Sequence, residues 1–396
     1  MFRHTPIFQQ LNQDYQDILD YLIKIGYTID PITIDHKSQF DFGEAYSIAY
    51  PIQGLLKYHG MVDPSERIAM FPSISLNNGA FFTITYLKFD QKFPRDRFYL
   101  NGLEQDKNED YQRVKFQLDK IRNFAGIQTR AIIISRNVIQ STKTILLAKG
   151  LGTSAAGGAA IARAAFSILY EQTDALINSR LLSVFSRYLS GSAARSSVGG
   201  IALWLSAPDR NSWKSFALRL DTPKDQEFIT GLSLITVPIQ SSITTTVAHK
   251  LAPSSPFYRK WCLSRKDKIY QFLGALQNRD LSTIGRLAEE DTKMLHKIHT
   301  TSTMSQSYWT EDTINLMKFA DEIKKNGVPI YYSIDTGPSV VFLVPKHHEN
   351  QVYETICLKF PKTHIYKGSI AGSSTVINPT SNLIQLLDDD IAKFSN

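Results

Sequence analysis

Little in this chain points outside the cell or into a membrane. Only two of its 396 residues are cysteine, Cys262 and Cys357. They have no metal-ligand spacing and cannot make a disulfide framework, which fits a reducing compartment. No run of about 18 apolar residues occurs, so no membrane span is expected. The opening MFRHTPIFQQLNQDY lacks the apolar stretch of a secretory signal. A cytoplasmic location is the expectation. Blocks of like charge are also missing: 44 Lys and Arg and 37 Asp and Glu are scattered, for a formal charge of +7. Nucleic-acid binding would call for a basic stripe with interleaved aromatics, so no nucleic-acid partner is expected. A small phosphorylated anion as partner suits the same balance. No metal is expected either. His296 and His299 in HKIH have helical spacing that suits a surface as well as a ligand pair, without a carboxylate motif to complete a site. His347 and His348 read as solvated.

What is present is a mixture of helix and strand. Phe8, Leu11, Tyr15, Ile18, Leu22 and Ile25 form one apolar stripe, which predicts a helix ended at Gly26 and docked on the main body. SISLNNGAFFTITYLKF reads as a hairpin or a strand–loop–strand unit around Asn-Asn-Gly. Strands are expected at TRAIIIS, GGIALWLS and GLSLITVPIQ, and two more, split by a tight turn, in PIYYSIDTGPSVVFLVP. Helices are expected over residues 154–170, 175–188, 267–278 and 312–325. With no strict βαβ period, the fold class is α+β, with two domains and a boundary near residues 225–231.

Three segments carry chemistry. GLGTSAAGG puts Gly150, Gly152, Thr153 and Ser154 at a turn into a helix, where free N–H groups and the helix dipole suit a phosphate. Close helix packing is an equal reading of the same small residues, and this is not a Walker loop, since no Lys-Ser/Thr pair follows. YLSGSAARSSVGG surrounds Arg195 with Ser190, Ser192, Ser196 and Ser197; hydroxyls and a two-pronged cation suit phosphate or carboxylate. SIDTGP ends an apolar strand with Asp335. A lone acid there is costly unless paired or chemically active, although a turn-capping Asp is the plain alternative.

With KYHG upstream (residues 57–60), these segments in this order resemble the GHMP kinase superfamily and, within it, the diphosphomevalonate decarboxylase family. That family pairs a Lys-Tyr segment, a Gly-Leu-x-Ser-Ser-Ala-Ala loop, a Ser-Gly-Ser-Ala-x-Arg-Ser loop and an Asp-x-Gly-Pro turn. SSPFYRKW and GGIALW also look like family counterparts, and the likeness spans residues 49–343. It implies a ribosomal-protein-like N-terminal domain, a ferredoxin-like C-terminal domain, a deep cleft between them and a homodimer. The expected division is a helical extension over 1–40 and domains over 41–228 and 229–396. Position by position, the resemblance makes Asp335, Arg195 and Lys57 the catalytic residues. It places Tyr58, Ser190, Ser192 and Ser196 on the substrate.

Three departures bear on the reaction. Where the family reads Lys-Tyr-Trp-Gly-Lys, the second lysine is Met61, which implies less charge on the substrate's 5-end. The family's short polar lead into the glycine loop is replaced by the longer NVIQSTKTILLAKG, whose Ile145, Leu146, Leu147 and Ala148 suit a dry wall rather than a triphosphate. The first forty residues are an addition. All three fit the archaeal mevalonate 3,5-bisphosphate decarboxylase branch, which resembles the family but needs no ATP. The expectation is a cofactor-free elimination of phosphate and CO2 from mevalonate 3,5-bisphosphate, giving isopentenyl phosphate, with Gly150, Gly152, Thr153 and Ser154 as a vestigial or phosphate-contacting loop. The alternatives are an ATP- and Mg-dependent diphosphomevalonate or phosphomevalonate decarboxylase, and a non-catalytic metabolite sensor of the same fold.

Overall fold

The computed structural model describes residues 6–32, 37–146, 150–170, 178–240 and 245–394. Three sheets organise them. The first runs, edge to edge, Thr375–Ile377, Gly43–Ala49, Phe81–Asp90, Arg130–Ile139, Arg97–Leu100 and Leu103–Glu104. All its pairs are antiparallel except Arg97–Leu100 with Arg130–Ile139. The second runs Phe216–Arg219, Ile201–Leu205, Ser73–Asn77 and Ile52–Leu56, and the third Tyr331–Ser333, Val340–Pro345, Leu232–Val237 and Tyr366–Gly368. The two β-rich runs around Asn-Asn-Gly therefore make a strand–loop–strand unit, not a hairpin. Ser73–Asn77 pairs within the second sheet and Phe81–Asp90 within the first.

The N-terminal stripe forms the helix Pro6–Lys24, burying Leu11, Tyr15, Ile18 and Leu22. Gly26 closes it with φ 98°. It docks against the helices Tyr258–Leu263 and Arg265–Gln277, where Lys266 meets Asp14 at 2.9 Å and Asp17 at 2.8 Å. The docked reading of this stripe thus describes what the helix does. Of the predicted 175–188 helix, Ser179–Arg187 is observed, and residues 175–177 lie outside the described residues.

The helix Thr153–Tyr170 lies on the first sheet, with Ser47 Oγ donating to Ala160 O at 2.7 Å. Ala156, Ala159 and Ala160 bury their methyls against Ala49. At Gly158 a Cβ would stand 2.9 Å from that of Ala193, so this small face lets the Ser190–Val198 segment press directly onto the helix. The segment from Leu232 onward does not stay in one sheet. After the third sheet the chain returns, and Thr375–Ile377 completes the edge of the first. On the way, Asn77 Nδ2 holds both Ser196 O and Gly372 O at 3.0 Å.

Gly199 is where this return crosses the Arg195 loop. Its φ is 73°, and a Cβ there would lie 2.1 Å from Ser373 N. We expect Gly199→Ala to cost about 2 kcal/mol or more, from the left-handed backbone and the clash with main chain. A urea midpoint equal to wild type would show that the crossing is looser than described.

Candidate active site

The strand Ile52–Leu56 is buried throughout and delivers Lys57 to the junction of the second and third sheets. Lys57 Nζ donates to Gly54 O at 2.6 Å, Ser333 Oγ at 2.6 Å and Asp335 Oδ1 at 3.1 Å. The other carboxylate oxygen accepts from Gly54 N–H at 3.3 Å. A Cβ at Gly54 would sit 2.7 Å from Asp335 Oδ1, so the close approach of Asp335 requires glycine. Gln53 Nε2 adds a contact to Ser333 Oγ at 3.0 Å. Lys57 is buried, while the Asp335 side chain keeps 38% exposure. It faces a narrow crevice lined by Gln53, Gly150, Leu151, Thr236 and Ser339. Asp335 is thus a carboxylate held on two sides and open on a third.

Arg195 lies on the one-and-a-half-turn helix Ala193–Val198 and is 2% exposed. Its terminal nitrogens donate to Ser73 Oγ and, at 3.2 Å, to Ser192 Oγ. Its guanidinium lies 5.3 Å from the Tyr58 ring centre and 5.8 Å from that of Trp204. Among the described residues no carboxylate pairs with it. Burial pushes its guanidinium down to about 10, with Tyr58 and Asp335 pulling the other way. A buried cation without a counter-ion is costly unless an anion arrives to meet it. Tyr58 packs edge-on to Trp204 at 4.7 Å, and its hydroxyl is at the Gly191 turn, where a Cβ would approach it to 2.8 Å. Ser190 and Ser192 stay half-buried at the same turn.

Ser196 does not join them. Its hydroxyl donates to Tyr50 O at 2.6 Å in a fully buried position. Successive side chains on a helix point about 100° apart, so facing Arg195 to the cleft turns its neighbour Ser196 to the packed side. From there it holds the loop, with its hydroxyl taken up by the Tyr50 carbonyl.

At the glycine loop, Gly150 and Gly152 have φ of 83° and 72°, and Thr153 begins the helix. Of the apolar lead, Leu146 is 3% exposed and packs with Leu151, Ala80 and Phe81. It gets there because residues 139–146 turn back on the strand end, with Ile139 N–H donating to Thr144 O at 2.9 Å and Leu146 N–H to Asn137 O at 2.8 Å. Ile145 is 38% exposed, and Leu147 and Ala148 lie outside the described residues.

This arrangement matches known proteins. Residues 49–217 match the diphosphomevalonate decarboxylase-like N-terminal domain and residues 245–391 the mevalonate 5-diphosphate decarboxylase C-terminal domain. The chain belongs to the diphosphomevalonate decarboxylase family. A mevalonate 3,5-bisphosphate decarboxylase of Thermoplasma acidophilum is 26% identical over 84% of this chain and 78% of its own. A phosphomevalonate decarboxylase of Haloferax volcanii is 27% identical over 86% and 99%. The crystal structure of mevalonate diphosphate decarboxylase from Staphylococcus aureus superposes with TM-score 0.75 at 27% identity, covering 85% of this chain and 98% of that one. The fold is the α+β fold of this family.

Within the family frame, one group of residues was not legible in the sequence. His59 stands where the family motif has tryptophan. It stacks on His249 at 4.3 Å and meets His299 edge-on at 4.9 Å, while His249 also lies 4.9 Å from Tyr58. His299, which suited a surface in sequence, is 4% exposed. Gly54, Ser73, Asp291 and Ser333 were missed as well. Ser333 had one usable signal, since it ends the strand two residues before Asp335.

Burial, aided by neighbouring His299 and two arginines, holds His249 down to about 3, and burial holds His299 down to about 2. His59 is held well below its ordinary range, again mainly by burial. An unfolded histidine titrates near about 6.5. Below that pH the unfolded chain binds protons that the folded one refuses, so stability is complete above about pH 7 and falls on acidification, by up to about 1.4 kcal/mol per pH unit for each histidine. We expect the urea midpoint to drop between pH 7 and pH 5, and His249→Gln with His299→Gln to flatten that slope. A wild-type midpoint independent of pH over this range would contradict the neutral cluster.

Proposed function

We propose that this protein is an ATP-independent carboxy-lyase that converts mevalonate 3,5-bisphosphate into isopentenyl phosphate, phosphate and CO2, acting in the cytoplasm as a homodimer. The observation that carries the reading is the contrast between its two charged centres. Arg195 is a buried cation without a counter-ion among the described residues, suited to a carboxylate or a departing phosphate. Asp335 already accepts from Lys57 and Gly54, so it serves better as a fixed negative charge than as a base. The Thermoplasma relative's name supports the same reaction.

In this reaction the C1–C2 electron pair becomes the C2=C3 bond as CO2 leaves. The C3–O pair departs with the 3-phosphate. No proton has to be taken from a hydroxyl, and no oxidant or reductant enters. Positive charge builds at C3, opposite the exposed edge of Asp335, and preorganised charge there lowers the barrier. Arg195 orients the carboxylate or the leaving phosphate, Lys57 balances the leaving group, and Tyr58, Ser190 and Ser192 hold the 5-phosphate. Holding these groups anti to one another is the larger part of the task.

A nucleotide fits this site only in part. The turn at Gly150 and Gly152 and the helix start would suit a phosphate. The neighbouring Leu146 and Leu151, buried on Phe81, give a triphosphate no partner. An ATP-dependent phosphomevalonate decarboxylase is the second reading, favoured by the intact glycine geometry and by the name of the Haloferax relative.

The test is CO2 and phosphate release from mevalonate 3,5-bisphosphate, with and without ATP and magnesium. Release without nucleotide is expected. Turnover only of a 3-hydroxy substrate, and only with ATP, would establish the second reading instead. In the same assay Asp335→Asn should slow turnover by well over tenfold, the equivalent of about 1.4 kcal/mol at the barrier. A loss within about threefold would remove the role given to its charge.

A further inference from the structure

The hairpin Met61–Asp63 with Ile68–Ala69 carries both the family's missing lysine and an arginine of its own. Met61 occupies the lysine position and pairs with Ala69 across the hairpin. Arg67, at the turn, has φ 51°, a left-handed backbone uncommon for arginine. That turn aims its side chain at the Ser190–Ser192 loop, where Nε donates to Tyr188 O at 2.9 Å. Among the described residues its two terminal nitrogens meet no acceptor and no carboxylate pairs with it. Arg195, three residues on, holds the same loop through Ser192 Oγ at 3.2 Å. Arg195 is thus tied at both terminal nitrogens, to Ser73 and Ser192, whereas among the described residues Arg67 is tied only through Nε and keeps its terminal nitrogens to donate.

The electrostatics agree with this convergence. Arg67 and Arg195 both act on the Tyr58 hydroxyl and on His249. Arg113 also repels Arg67, and Glu109 is the acid that acts on it, but Glu109 is already paired with Arg113. Two cations acting on one buried hydroxyl favour an anion beside it. Beside Tyr58 stands a neutral ring, the half-buried His249.

We infer that Arg67 replaces the lysine lost at Met61 and, with Tyr58, Ser190 and Ser192, selects a substrate ending in a single phosphate. The inference rests on the proposed reaction and deepens it. A planar two-pronged cation suits the oxygens of one phosphate. A second phosphate would have to displace His249, which has no charge to offer it.

The test is steady-state CO2 release from mevalonate 3,5-bisphosphate by wild type, Arg67→Ala and Arg67→Lys, with the thermal midpoint as a check on folding. Arg67→Ala should raise KM by about tenfold or more with kcat within about threefold, and Arg67→Lys should recover part of that loss. Removing the 5-phosphate from the substrate should cost wild type at least as much as Arg67→Ala does, and Arg67→Ala should cost little further with that shortened substrate. Fully additive losses, an unchanged KM or a fall in kcat alone would overturn the assignment. Should wild type not turn over this substrate, the reaction falls but Arg67 is still decided by calorimetry with mevalonate 5-phosphate. Weaker binding to Arg67→Ala by about tenfold supports the site, and equal affinity overturns it.

Discussion

The buried carboxylate of Asp291 is the anchor of the cleft. It sits on the long helix Leu281–Thr301, with its side chain wholly excluded from solvent. One oxygen accepts from the Lys57 backbone N–H at 2.6 Å, and the other from the Trp261 indole at 2.9 Å. Arg265 and Lys268 face it at 3.2 and 3.4 Å. Burial opposes its charge, yet these partners together hold the carboxyl below its usual range. One group thus joins the end of the Ile52–Leu56 strand to three helices. Removing a single partner from a buried pair of this kind costs about 3–5 kcal/mol, because the other charge is left alone in the core. The position of the Lys57 ammonium, and through it of Asp335, is inherited from this contact.

From that anchor the cleft sorts its cations by how their charge is met. Lys57 is satisfied within the protein by a carboxylate, a carbonyl and a hydroxyl. Arg195 has hydroxyl partners but no countercharge, and the histidines beside it are kept neutral by burial. Had these histidines been charged, they would have repelled both Lys57 and Arg195 and helped to expel the segment that carries His249. Neutral rings instead fill the space next to Tyr58 without competing for anions. The result is one side of the cleft with a fixed negative edge and another with unpaired positive charge, which is the polarity demanded by a substrate that ends in phosphate and passes through a cation at its centre.

Much of this was legible in the sequence where signals are local. The stripe of the first helix, the strand that leads to Asp335 and the small-residue segment around Arg195 depend on neighbours a few residues away, and local pattern reports them. Asp291 was hidden because nothing in AEEDTK sets it apart from the acids beside it. Its burial depends on Trp261 and on the main chain of Lys57, far off in sequence, and no local pattern encodes that. His299 misled for the same reason, since its ring is buried by His59 and Tyr308 on other segments. Ser196 parts from Ser190 and Ser192 for a geometric reason: nearness in sequence ignores the direction in which each side chain leaves a helix. Gly54 carried no signal because its demand for a missing Cβ comes from Asp335, a residue of another sheet.

The persistence of the glycine loop follows from packing as much as from ligand chemistry. Its helix meets the first sheet through alanine methyls, and Gly158 meets the Arg195 segment so closely that a Cβ would press on Leu189 as well as Ala193. Larger residues there would drive the Arg195 loop off the helix and carry its guanidinium away from Ser73. Gly152, likewise, approaches Ile52 O to a distance where a Cβ would lie at 3.1 Å, just before the strand that delivers Lys57. Small residues in this segment are therefore demanded by the placement of Arg195 and Lys57 whether or not a nucleotide ever reaches the loop. Loss of ATP use would leave that demand intact, so a sequence that looks like a phosphate cradle is what a nucleotide-free relative would be expected to keep.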